Sequence, residues 1–231
     1  MLHSKVEREP MNAATWRVSS GAPCRRLANP VILPVNRYVA GKPSSEVRRE
    51  LGLTDVVKLA SNENPAGPSP RALQAIQSLL PDLHLYPERG GELGHALSER
   101  HGVSIDGILE LIEHVQAPFS TTMLAHAAAL ASLGDEQHRV TSRAVARASK
   151  KLLYAELSRL GLRFVPSHAN FVFVDFETDI APIANALLHR GFIIRPVLET
   201  CARITLGTLA QTAALIDALE PLCRSARSVA R

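Results

Sequence analysis

The C-terminal part of the chain alternates between helices and short strands, and this alternation limits the folds that it can adopt. A long helix is predicted at 136–160, with Gly161 in the position after its end. Four later runs are rich in β-branched and aromatic residues: 162–165, 171–176, 192–195 and 202–206. Two more helices are predicted at 182–190 and 209–224. Helices packed against such a small sheet form a compact α+β unit.

The N-terminal part has a less regular pattern. Residues 1–26 mix basic and acidic side chains without an apolar period, which predicts a mobile leader. Residues 27–43 contain three prolines and are predicted to form an extended arm, because proline lacks an amide donor. Ser44 or Ser45 is predicted to cap a helix that ends at Leu51.

A strand and a second capped helix follow this arm. The strand is predicted at 56–60, and Ser69 is predicted to cap a helix whose first residue is Pro70. Three residues at helical spacing form its apolar face: Leu73, Ile76 and Leu80.

The domain boundary is predicted near Ala117. An apolar stripe at 105–115 predicts a helix before it, and Ser120 is predicted to start an alanine-rich helix after it. Residues 27–117 would then form the arm and the helices that follow it, and 118–231 a small α+β domain.

Composition narrows the classes of function. The chain has 231 residues, of which 46% are hydrophobic, and its net charge of +4 is spread along the sequence. No apolar run approaches the roughly 20 residues of a membrane span. Three widely spaced cysteines argue against a disulfide framework or a metal knuckle. These features predict a cytoplasmic protein that binds neither nucleic acid nor a membrane.

Two clusters contain residue types found in metal or hydrolase sites: Glu92, His95 and Glu99, and Ser167, His168 and Asp175. The first has no HExxH signature, so an exposed polar helix face is favoured over a metal site. The second has no nucleophile elbow, which disfavours a hydrolase triad. Lys150 and Lys151 are interpreted as part of a solvated helix face rather than as Schiff-base lysines.

Two arginines interrupt runs that otherwise look buried. Arg195 ends the run at 192–195, and Arg203 lies within the run at 202–206. Because a guanidinium group is always charged, each requires an anionic partner. The pair could form structural salt bridges, or it could anchor a doubly anionic small molecule through bidentate hydrogen bonds. The second interpretation is favoured.

Several sequence strings, in order, resemble one family. They are VKLASNENPAGPSP at 57–70, LYP at 85–87, FVPSHANFVFV at 164–174, GFIIRP at 191–196 and ARITLGT at 202–208. The chain resembles histidinol-phosphate aminotransferase over about residues 27–222. This resemblance implies a homodimeric pyridoxal-phosphate enzyme of aminotransferase class I/II with the type I fold. Its reaction would exchange an amino group between glutamate and imidazole-acetol phosphate in histidine biosynthesis.

The resemblance also implies roles for individual residues in substrate binding. Tyr38 would act at the phosphate end of the substrate, where Arg195 would bind the phosphate itself. Arg203 would bind the α-carboxylate. Asn62 and Glu63 would help to shape the substrate pocket.

The cofactor-binding part of the family pattern is incomplete. Tyr86 would reach the cofactor phosphate of the other subunit, but the large domain that should follow it is reduced to 90–117. This interval lacks the glycine-rich phosphate cup, the aspartate for the pyridine nitrogen and the Ser-x-x-Lys motif. None of the five lysines has a matching context. We therefore assign no catalytic residue. Because these parts are missing, the sequence also argues against binding of pyridoxal phosphate by this chain.

The sequence thus predicts a truncated α/β remnant of the pyridoxal-phosphate-dependent type I transferase fold. It keeps an N-terminal arm and helices and a C-terminal small α+β domain, while the large-domain sheet is mostly absent. The isolated chain is predicted to be inactive. Two alternatives stay open: a non-catalytic protein that docks on an intact aminotransferase paralogue as a heterodimer, and a decayed gene product.

Overall fold

The computed structural model describes residues 41–85, 91–104 and 121–229, with side chains described up to residue 224. The predicted leader and most of the arm lie outside these ranges, as do the stripe at 105–115 and the predicted boundary near Ala117. The described residues belong to one compact unit. None of their helices is both long and apolar enough to cross a bilayer.

The order of elements confirms the predicted alternation of helices and strands. The α-helices are α1 (Ser44–Leu51), α2 (Pro70–Ser78), α3 (Gly91–His101), α4 (Met123–Leu133), α5 (Glu136–Arg159), α6 (Ile180–His189) and α7 (Leu209–Val229). A short 3-10 helix, Leu80–Asp82, follows α2. The strands are β1 (Val57–Lys58), β2 (Arg163–Val165), β3 (Phe171–Asp175), β4 (Phe192–Ile193), β5 (Arg195–Pro196) and β6 (Cys201–Thr205).

Two predicted helix ends are confirmed by their geometry. Ser69 caps α2, because its Oγ accepts a hydrogen bond from the amide of Ala72 at 3.3 Å. Gly161 follows α5 with a φ of 66°, in the left-handed region that glycine adopts without strain.

The predicted serine cap of α1 is wrong. Pro43 occupies the N-cap position, and no side chain caps the helix. The carbonyl of Pro43 accepts hydrogen bonds from the amides of Glu46 and Val47. Ser44 is therefore already the first helical residue, too late in the chain to serve as the cap.

Four strands form an antiparallel sheet in the order β2-β3-β6-β5. Burial alternates along β3, where Val172 and Val174 are buried and Phe171 and Phe173 are half-buried. The buried face packs with α5, α6 and α7 into the main core, which includes Leu153, Leu157, Ile183, Leu187, Leu215 and Leu219. The sheet and these three helices, called the sheet unit below, are the small α+β unit predicted from the sequence.

The strand predicted at 192–195 divides into two. Its first part, β4, pairs in parallel with β1, and Arg195 begins β5, which pairs with β6. The amide of Leu59 donates to the carbonyl of Ile193 at 2.8 Å, and the amide of Thr205 donates to the carbonyl of Leu59 at 2.9 Å. The segment around β1 is therefore bonded to both β4 and the end of β6.

A glycine allows this close approach of the segment before β1. Gly191 has a φ of 83°, and a Cβ atom there would lie 2.6 Å from the carbonyl oxygen of Asp55. The Gly191 carbonyl also accepts a hydrogen bond from the amide of Val57 at 2.8 Å. A residue with a side chain would be strained in φ and would push the two backbones apart.

The helices α2, α3 and α4, called the helical layer below, pack against one another but bury little. In this part of the described chain, Ala72 is the buried residue of α2, and α3 and α4 have none. The predicted apolar face is largely uncovered, since Leu73 of α2 is 46% exposed and Leu80, in the 3-10 helix that follows, is 50% exposed. The apolar period fixes which side of a helix can be buried, but burial also requires a partner element.

Candidate anion-binding site

The two candidate arginines lie side by side on the half-buried face of the sheet. Arg203 of β6 is directly opposite Arg195 of β5, and on its other side it is opposite Phe173 of β3. Directly opposite residues project from the same face of a sheet. Phe173, Arg203 and Arg195 therefore form one row, called the arginine row below, on the face away from the core.

Arg203 is held in place by its surroundings. Its Nη2 donates a hydrogen bond to the carbonyl oxygen of Ala60 at 2.6 Å. Its guanidinium carbon lies 5.4 Å from the centre of the Phe171 ring, within the range of a cation–π contact. Its Nε is buried and has no hydrogen-bond partner among the described residues. A buried donor of this kind is costly unless a ligand or water completes it.

Arg195 brings a second positive charge to the same row. Its side chain is half-buried, and like charges directly opposite each other across strands destabilise a sheet. An anion bound between the two guanidinium groups would offset this repulsion and could accept bidentate hydrogen bonds from each. Two arginines in one row are chemically suited to a carboxylate or a phosphate.

The other residues predicted to bind substrate are not part of the arginine row. The carbonyl of Asn62 accepts a hydrogen bond from Asn170 Nδ2 at 3.2 Å, while the Asn62 side chain is exposed. Glu63 forms an ion pair with Lys58 at 2.6 Å and is exposed. Both residues follow Ala60, the residue that contacts Arg203. Tyr38 and Tyr86 lie outside the described residues.

Three residues that position the site had no role in the sequence analysis. Ala60 and Phe171 contact Arg203, and Asn170 joins the start of β3 to the segment after β1. Strand alternation could have placed Phe171 on the arginine face, because it lies two residues from Phe173. The contact with Ala60 depends on a main-chain oxygen, which leaves no signal in the side-chain pattern.

The two other candidate clusters do not form sites. Ser167 Oγ accepts a hydrogen bond from the amide of Ala169, and Asp175 is paired with Arg163. Ser167 lies in the segment before β3, whereas Asp175 is the last residue of this strand, and the two side chains have different partners. Within the described ranges, no group of three or more His, Cys, Asp or Glu side chains could hold a metal ion.

Comparison with known proteins identifies the fold. A solved histidinol-phosphate aminotransferase from Sinorhizobium meliloti, in complex with pyridoxal-5'-phosphate, superposes with a TM-score of 0.73 at 15% sequence identity. The alignment covers 86% of this chain and 98% of that chain. A putative histidinol-phosphate aminotransferase from Erwinia carotovora atroseptica gives a TM-score of 0.64 at 13% identity, over 81% of this chain and 99% of that chain. The structure is a remnant of the pyridoxal-phosphate-dependent type I aminotransferase fold.

Sequence comparison identifies the family. Residues 103–219 match the model of aminotransferase class I and II, and this range is more than half of the chain. The chain belongs to the class I and II aminotransferase family.

Individual relatives are histidinol-phosphate aminotransferases. The one from Moorella thermoacetica is 24% identical over 383 aligned positions, which cover 96% of this chain and 96% of the relative. This alignment is longer than the chain, so part of the relative lies opposite gaps. The relative from Symbiobacterium thermophilum is 39% identical over 140 positions. They cover 59% of this chain and 37% of the relative, well under half of its length.

The described lysines do not fit the cofactor of this family. Pyridoxal phosphate requires a lysine nitrogen that faces its pocket, with a cup for the phosphate. Lys150 Nζ donates to the carbonyl oxygens of Ser167 and Ala169 at 2.7 and 2.6 Å. The other described lysines are also placed elsewhere: Lys42 is paired with Glu50, Lys58 is paired with Glu63, and Lys151 is exposed.

Proposed function

We propose that this chain descends from histidinol-phosphate aminotransferases but does not transfer amino groups as an isolated chain. The reaction would move an amino group between glutamate and imidazole-acetol phosphate. The observation that carries the proposal is the position of Lys150, whose ammonium group is bonded to two main-chain carbonyls. A lysine held in this way is a structural cation rather than a nucleophile. Lys5 lies outside the described residues, and its sequence context does not match the family motif.

The same proposal assigns the retained arginine row to anion binding. Arg203 would bind a carboxylate, since its buried Nε lacks a described partner, and Arg195 would bind a phosphate beside it. By the family resemblance, Asn62 and Glu63 would border this substrate. By the same resemblance, Tyr38 would act at the phosphate end of the substrate, and Tyr86 would reach the cofactor phosphate of a partner subunit.

Reduction of a lysine–cofactor adduct tests the catalytic part of the proposal. The purified chain would be mixed with pyridoxal phosphate and glutamate, reduced with borohydride, and mapped by peptide mass spectrometry. We expect no glutamate-dependent turnover and only scattered, substoichiometric labelling of exposed lysines. Lys150→Gln and Lys151→Gln provide a matched pair on one helix, and neither should change the outcome. Stoichiometric labelling of a single lysine together with turnover would contradict the proposal.

The exposed leucines of the helical layer favour a second candidate function. Leu73 and Leu97 in this layer, and Leu80 and Leu83 just after α2, are each 40% or more exposed, and exposed apolar surface is a feature of association sites. We therefore also propose docking on an intact aminotransferase paralogue. Mixing the chain with the full-length enzyme should give a complex of defined stoichiometry in analytical ultracentrifugation. A lone monomer or an aggregate would instead indicate a decayed gene product.

A further inference from the structure

A second basic feature lies beside α5, in a groove of about 530 Å³. The groove is bounded by α5, the turn at Asn64 and Pro65, and the segment at 167–170 that precedes β3. Its volume is within the range of sites for small molecules. Arg195 and Arg203 are not among the described residues that line it.

The wall formed by α5 is strongly cationic. Arg143, Arg147 and Lys150 all line the groove, and their spacing of four and three residues places them on one face of the helix. None of the described lining residues is acidic, so these charges are not compensated within the groove. Like charges at this spacing destabilise a helix slightly. A bound anion would reverse that effect.

The three cations differ in how firmly they are held. Lys150 uses two of its three N–H donors on the carbonyls of Ser167 and Ala169, which fixes its charge at the groove. Arg143 and Arg147 are exposed, and their guanidinium groups form no ion pair or hydrogen bond within the described part of the chain. The pKa of Glu136 is lowered mainly by its hydrogen bond from Arg139, and the charge of Arg143 contributes less.

Hydrogen bonds already hold the uncharged side of the groove in place before any ligand binds. Asn64 Nδ2 donates to Ser142 Oγ at 3.0 Å, which joins the Asn64 turn to α5. Asn64 Oδ1 also accepts a hydrogen bond from the amide of Ala66 at 3.0 Å, which fixes the turn itself. The groove therefore needs little rearrangement before a ligand binds, and this lowers the cost of binding.

We propose that this groove binds a small multivalent oxyanion, either a phosphate ester or a polycarboxylate. The guanidinium forks of Arg143 and Arg147 bind its oxygens bidentately, and Lys150 supplies a fixed positive charge. This site is additional to the arginine row of the sheet and does not depend on transamination.

Calorimetric titration at low ionic strength tests the site with three probes: pyrophosphate, citrate and acetate. We expect saturable binding of pyrophosphate or citrate, with acetate at least about tenfold weaker, because a single carboxylate cannot engage both arginines. Tighter binding of pyrophosphate assigns the groove to phosphate esters, and tighter binding of citrate assigns it to polycarboxylates. The absence of saturable binding by both would overturn the proposal.

Matched variants then locate the binding site. Arg143→Gln combined with Arg147→Gln should weaken binding at least about tenfold. Arg48→Gln combined with Arg49→Gln removes the same charge from the exposed face of α1 and should change affinity less than about twofold. Circular dichroism would confirm that both variants fold. Equal losses in the two double variants, or an equal loss in Arg203→Gln, would overturn the proposal.

Discussion

The sheet unit and the helical layer both contain helices with apolar side chains, but these side chains are buried to very different extents. In the sheet unit, α5, α6 and α7 enclose one face of the sheet, and residues such as Leu157, Leu187 and Leu219 are fully buried. In the helical layer, the described part of α4 is rich in alanine and leucine yet contains no buried residue. Apolar content alone therefore does not make a core, because a face is buried only where a partner element meets it.

The two regions also differ in how they are held together. The core of the sheet unit is closed mainly by its own sheet and helices, with Leu59, after β1, also buried in it. The helical layer is joined to the sheet unit through Ser69 and Asp135, whose side chains share a hydrogen bond of 2.6 Å, and Asp135 in turn caps α5. We infer that the layer presents its exposed leucines to something else, in agreement with the docking function proposed above.

The largest expected effect comes from truncating matched leucines in the two regions. Leu157→Ala, in the sheet unit, should lower the free energy of unfolding by about 3 kcal/mol, because it leaves a cavity in a packed core. Leu73→Ala, in the helical layer, should change it by less than about 0.5 kcal/mol, since its side chain is 46% exposed. Urea denaturation measures both. Similar losses in the two variants would mean that the helical layer is as well packed as the sheet unit.

An intermediate effect is expected at the link between the two regions. Ser69→Ala removes the cap of α2 and the hydroxyl that donates to Asp135, and should cost about 1 kcal/mol. Ser78→Ala is the matched control on the same helix. Its hydroxyl donates to the carbonyl of Ala75 and is exposed, so the loss should be close to zero. Thermal unfolding of both variants would compare them, and equal shifts in Tm would contradict the role given to Ser69.

Local signals in the sequence predicted much of the sheet unit. Gly161 and Gly191 marked the ends of α5 and α6, and both have the positive φ that glycine allows. The run at 171–176 became β3 almost unchanged. These features depend on residues that are neighbours in the sequence, so they can be predicted from one sequence.

Features that depend on distant partners were not predictable in the same way. Arg195 and Arg203 were both predicted to be anion anchors, but their direct pairing follows from the register of β5 on β6. The division of the run at 192–195 follows from β1, which lies far away in sequence and pairs with β4. The exposure of Leu73 likewise depends on the elements around it rather than on its own helix.

The smallest expected effect is a dependence of the sheet unit's stability on acid. The amide of Glu177 and the guanidinium of Arg163 both donate to Asp175, and together they lower its pKa to about 2. Because the folded pKa lies below the unfolded value, this contribution is present above about pH 4. It is lost as the pH falls toward 2. Arg163 is exposed, so solvent screening keeps the effect small.

Two variants separate the two causes of this acid dependence. Asp175→Asn should flatten the rise in the free energy of unfolding between pH 2 and 4. Arg163→Gln should flatten it only in part, because the hydrogen bond from the Glu177 amide is the larger cause and is retained. Urea denaturation at a series of pH values measures both slopes. If Arg163→Gln removed the whole slope, the ion pair rather than the turn after β3 would hold the carboxylate in its ionised form.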